Sequence, residues 1–85
     1  MTNGELERIR EIKNRHQDEL LKKKNVVGLG IGYKETAGRQ TDQLSLIVMV
    51  RKKEPLSNLN PPDVVPPQIK DVITDVQEAG EIRAL

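Results

Sequence analysis

Val26-Val27-Gly28-Leu29-Gly30-Ile31-Gly32-Tyr33 is the stretch on which the fold turns, because every second residue from Gly28 to Gly32 is glycine. In an extended chain successive side chains point to opposite faces. Val27, Leu29, Ile31 and Tyr33 then line one face, while Gly28, Gly30 and Gly32 leave the other bare. A bare face lets another backbone, a helix or a ligand come close. Glycine also weakens a strand, since it loses the most conformational entropy on folding and offers nothing to pack. Three in register need compensation. The expected compensation is structural: the preceding helix sits unusually close on the glycine face, with Gly28, Gly30 and Gly32 as close-packing residues. A bound ligand is the alternative.

Upstream, residues 5–24 read as one amphipathic helix. Leu6, Ile9, Ile12, His16 and Leu20 recur at spacings of three or four, with Leu21 beside them. Thr2 or Asn3 can cap the start, Glu5 and Glu7 suit the positive end of the dipole, and Lys22, Lys23 and Lys24 suit the other. Asn25 is the expected stop. Glu11–Arg15 is an i,i+4 ion pair worth a few tenths of a kcal/mol.

Downstream, the glycine strand covers residues 26–34, and the polar, glycine-bearing stretch 35–41 reads as a hairpin loop. Residues 43–51 form a second strand. Leu44, Leu46, Val48 and Val50 are apolar on one face, and Ile47 and Met49 make the other partly apolar. Two apolar faces mark a central strand, or one covered on one side by a partner. Residues 52–69 hold all five prolines, yet Leu56, Leu59, Val64, Val65 and Ile69 give them apolar material to pack. The expectation is an ordered connection. A third strand follows at 71–77, with Val72, Thr74 and Val76 on one side, and 78–85 is a tail. The predicted fold is a single α+β domain over 1–85: a long N-terminal helix packed on a small, mainly antiparallel three-stranded sheet.

Composition removes several function classes. No cysteine is present, so disulfides, thiolate zinc sites and cysteine nucleophiles are excluded. Charged residues are 32% of the chain, but the formal net charge is only +1, without the basic excess of a nucleic-acid binder. Tyr33 is the only aromatic, so no base-stacking platform exists. No membrane-spanning run or signal peptide is visible, and a soluble, cytoplasmic protein is expected.

The chemistry is equally sparse. A dinucleotide fingerprint follows a strand and opens a helix, the reverse of the order here, and no Gly-Lys-Ser/Thr is present. His16 is the only histidine and falls on the apolar stripe, where a packed or boundary role is expected. Ser45 and Ser57 lack a nucleophile-elbow context, and one histidine with scattered carboxylates does not make a transition-metal site. Asp71 and Asp75 fall on one face of the third strand, where a solvated, anti-aggregation role on an edge is expected. The basic runs Lys22–Lys24 and Arg51–Lys53 read as solvated element ends. No enzyme activity, cofactor or metal is expected.

Residues 25–34 (NVVGLGIGYK), 41–56 (TDQLSLIVMVRKKEPL) and 71–85 (DVITDVQEAGEIRAL), with the spacing of the proline-rich stretch between them, resemble the N-terminal region of certain bacterial trypsin-like serine proteases. The resemblance implies a chymotrypsin-like catalytic domain, following the module or acting with it, that carries the His, Asp and Ser. None of those catalytic positions falls in this chain. It implies a non-catalytic module that packs on that domain or regulates it in a propeptide-like way. Subtilisin propeptides are a weaker parallel, because their second helix is obstructed here by Pro61, Pro62, Pro66 and Pro67.

Two partner readings follow. In one, the partner is a downstream or separate serine protease domain, met by an interaction surface at Ile47, Met49 and Arg51. In the other, the chain is a free-standing homodimer joined through sheet edges or helices, using Ile47 and Met49 or the near-heptad Leu6, Ile9, His16 and Leu20.

Overall fold

The computed structural model describes residues 3–53 and 56–79, without the side chains of Asn3 and Leu56. Helix α1 (Asn3–Leu21) leads into strands β1 (Val26–Thr36) and β2 (Arg39–Val50), then a proline-rich crossover with two short 3-10 turns. Strands β3 (Gln68–Ile69) and β4 (Val72–Glu78) complete a sheet of order β1-β2-β4-β3. The α+β class agrees with the sequence reading. The sheet corrects it in two respects: four strands are present among the described residues, and β4 runs parallel to β2. Parallel neighbours need a crossover of a dozen or more residues, and the stretch between Val50 and Val72 supplies one without a long helix.

α1 ends where expected in kind, though three residues before the predicted limit. Asn25 takes a left-handed conformation, with φ 77°. Its carbonyl accepts from Arg51 N–H at 2.9 Å and its side-chain amide donates to the Lys52 carbonyl. The helix end is thereby tied to the end of β2. The predicted loop at 35–41 shrinks to a two-residue turn, because Ala37 and Gly38 both have positive φ (52° and 79°), as a type I′ turn requires. Both strands therefore run further than predicted. At the other end β4 extends to Glu78, so the predicted tail at 78–85 starts later, and residues 80–85 lie outside the described ones.

The core lies between α1 and one sheet face. Ile9, Ile12, Leu20, Leu46 and Val72 form its buried centre, with Leu29, Ile31, Leu44 and Ile69 packed around them. Ile12 and Leu46 are fully buried, each contributing about 1.5–3 kcal/mol of transfer free energy. Leu29 and Ile31 alternate with the glycines, so the helix lies on the face opposite them. That corrects the expectation that the helix rests on Gly28, Gly30 and Gly32. The physical reason is plain: burying Leu29 and Ile31 against α1 removes far more apolar surface from water than burying glycine would.

Val27 leaves the predicted apolar row, and Tyr33 keeps its place opposite Leu44 but lies at the exposed end of the row. The β1–β2 register shifts between Val26 and Gly28, where Val26 pairs with Val50 and Gly28 with Met49. This bulge turns Val27 outward, 49% exposed. Tyr33, next to the second irregularity, is 45% exposed.

Candidate functional site

The sheet face away from α1 is built in rows. Gly28 pairs with Met49 and Gly30 with Ile47 across β1 and β2. Ile47 and Met49 in turn pair with Asp75 and Gln77 of β4. The side chains of β2 lie down across the glycines. A Cβ built on Gly28 would stand 3.2 Å from Met49 Cε, and one on Gly32 would stand 3.5 Å from Ile47 Cγ1. At Gly30 the nearest atom would be Met49 Cε at 3.9 Å, ordinary contact. None of the three has a positive φ. Only Gly28 is tight, and against the mobile end of a methionine. The fold itself therefore has room for alanine at Gly30 and Gly32.

One half of this face is closed by the chain's own backbone. Gly30, Ile47 and Asp75 are level in the register, and Glu35 lies further along β1. Strands two apart in a flat sheet are about 9–10 Å from each other. Yet Glu35 N–H donates to Asp75 Oδ2 at 2.9 Å. The end of β1 must therefore bend over the open face. The second register irregularity, between Tyr33 and Glu35, permits the bend, and Thr41 Oγ1 holds it by donating to the Lys34 carbonyl at 2.7 Å.

Beneath the bend Ser45 is fully buried and donates to the Gly32 carbonyl. Asp75 is 7% exposed, which overturns its expected role as a solvated edge carboxylate. Its Oδ2 also accepts from Gln77 Nε2 at 2.9 Å, and Lys34 Nζ stands 3.4 Å from Oδ1. Burial pushes its carboxyl up, but the bonds from Gln77 and Glu35 N–H and the Lys34 charge outweigh that and hold it below its ordinary value.

Asp71 does not share this face with Asp75 as expected. It sits in the turn between β3 and β4, after Lys70 with φ 54°, and accepts from Arg8 Nε of α1 at 2.8 Å. The turn releases it from strand alternation. Hydrogen bonding by Arg8 lowers its carboxyl, and the bonds to Glu11 and then to Asp71 raise the Arg8 guanidinium. Arg8 also reaches Glu11 at 2.7 Å, and Glu11 reaches Arg15 at 3.7 Å, the pair read from the i,i+4 spacing.

The predicted surface residues are brought together only in part. Ile47 is 8% exposed and covered, Met49 is half-buried, and Arg51 is exposed just beyond the strand. What remains open to a partner is Met49 with the half-exposed backbone of Gly28 and Gly30, flanked by Val27. β1 forms one edge of the sheet, with no strand beyond it among the described residues.

No catalytic constellation accompanies this face. His16, on α1, is half-buried, with Nδ1 3.3 Å from Glu19 Oε1 and Nε2 buried without a partner. Ser45 lies on this face, across the sheet from His16, and Ser57 is exposed in a 3-10 turn. Among the described residues no group of three or more His, Cys, Asp or Glu is placed to hold a metal, and no helix is long and apolar enough to cross a membrane.

The sequence reading did not foresee that the two basic runs meet. The bonds from Asn25 to Arg51 and Lys52 bring Lys24 beside Lys52 and Lys53 at one end of the sheet. The only signal was their position, one after the helix and one after the second strand. No protein-family model matches the chain, and no curated protein matches it.

Proposed function

We propose that the chain is a non-catalytic interaction module that docks on a trypsin-like serine protease domain, downstream or separate, and regulates it in a propeptide-like way. The observation that supports docking is Gly30. Its backbone is half-exposed, its φ is ordinary, and an added methyl would meet nothing closer than 3.9 Å. Internal packing therefore does not require glycine there, and a strand that keeps it forgoes stability. A partner backbone lying against β1 would require it. The choice of partner rests on the resemblance of residues 25–34, 41–56 and 71–85.

The test is an amide-shift titration of the labelled chain with the trypsin-like domain encoded in the same frame or beside it. Shifts centred on residues 27–32 and Met49 are expected. If no such domain is encoded, or if the shifts miss that face, the reading is wrong.

A second reading is favoured by the free edge of β1, which presents unpaired backbone groups that a second copy can match. It makes the chain a homodimer. Mass measured through a dilution series separates the two: a dimer that survives dilution supports self-association, whereas a monomer leaves the protease partner.

A further inference from the structure

α1 ends at Leu21 and leaves the far end of its sheet face uncovered. There the crossover closes over a cavity of about 200 Å³. Its floor is Val26, Val50 and Val76 from β1, β2 and β4, and its wall is Leu59 and Val65 from the proline-rich stretch. Lys24, Lys52 and Lys53 also line it and make its rim basic.

Among the described residues lysines outnumber acids at this rim. Asp63 is the one acid in the lining among the described residues, and its Oδ1 accepts from the Lys24 backbone N–H at 2.9 Å. Glu78 lies nearby and its Oε2 accepts from the Lys53 backbone N–H at 2.9 Å. Both acids thus serve backbone donors. Among the described residues none of the three rim ammonium groups makes a salt bridge. A hydrocarbon floor beside three lysines, which outnumber the two neighbouring acids among the described residues, is complementary to a molecule with an apolar body and an anionic head. Size limits the body: an apolar cavity of about 150 Å³ takes a benzene ring, so this one takes a single branched aliphatic or phenyl group.

We propose that this cavity binds a small organic monocarboxylate, its branched or aromatic hydrocarbon on the valine floor and its carboxylate among Lys24, Lys52 and Lys53. The site lies at the carboxyl ends of the parallel pair β2 and β4, where loops leave a crevice in parallel sheets. It is independent of the partner assigned to the glycine face.

The probe is 4-methylpentanoate, titrated into the labelled 85-residue chain at constant ionic strength. Amide shifts at Lys24, Val26, Lys53 and Val76 that saturate in the millimolar range are expected. The matching amide, 4-methylpentanamide, should bind roughly tenfold more weakly, as should the acid to the double variant Lys52→Gln/Lys53→Gln, the loss expected for a charge-assisted bond. Those lysines are exposed, so an unchanged spectrum of the variant confirms its fold. Acetate tests the floor and should fail to saturate. Equal binding of acid and amide, equal shifts from acetate, or an acid that binds the double variant undiminished would each overturn the proposal.

Discussion

The two faces of one sheet solve opposite problems. Beneath α1, Leu29, Ile31, Leu44, Leu46 and Val72 close against Ile9, Ile12 and Leu20, and the buried Thr74 hydroxyl is satisfied by the Pro66 carbonyl. On the other face no helix arrives among the described residues. There the chain covers itself with what it has: Met49 and Ile47 laid over glycines, and the bent end of β1 capping a buried carboxylate. The first face is held by area, the second by geometry. A face held by geometry can leave a strip of backbone open to a partner, and the proposed docking falls on that side.

The comparison breaks most visibly at Ile12. Ile12→Ala opens a fully buried site under the helix and is expected to cost about 2–5 kcal/mol. In a domain this small that loss takes most of the stability, read as a collapse of the urea midpoint. A loss under about 1 kcal/mol would mean that α1 does not carry the core.

Next is Asp75 on the opposite face. Asp75→Ala strands Glu35 N–H, Gln77 and Lys34, and is expected to cost about 1–3 kcal/mol. Its carboxyl titrates lower folded than unfolded, so the unfolded chain binds the extra proton first. The stability it contributes is therefore complete above the ordinary aspartate range and is lost as pH falls through that range to the depressed folded value. Asp75→Asn should flatten that part of the stability–pH curve. An unchanged acid limb would show that the bent end of β1 does not hold the carboxylate.

The smallest effect is also the most discriminating. Gly30→Ala should stabilise the fold by about 0.4–1 kcal/mol, because it restricts the unfolded chain without a clash. The same change should weaken partner binding. Gly38→Ala, at φ 79°, should instead destabilise by about 1 kcal/mol. If Gly30→Ala destabilises, packing needs the glycine after all, and the argument for an external partner loses its support.

Much of the framework was legible from spacing. The stripe Ile9, Ile12 and Leu20, the left-handed stop at Asn25, the antiparallel pairing of the first two strands and the central place of β2 all follow from local periodicity and turn chemistry. The candidate site was legible only in its members. Alternation separates Gly28, Gly30 and Gly32 from Leu29 and Ile31, but it does not say which row receives the helix. The glycine run drew attention to close approach, and the apolar row won the helix because it had more area to bury.

Periodicity, turn residues and composition by themselves determined the helix, three of the four strands and the absence of cysteine chemistry, since each depends on residues a few positions apart. Tertiary structure alone decided the parallel placement of β4 beside β2, the burial of Asp75 and the meeting of Lys24 with Lys52 and Lys53. Those depend on where the proline-rich crossover returns and on how far β1 bends. Both are outcomes of long-range packing, which no local spacing encodes.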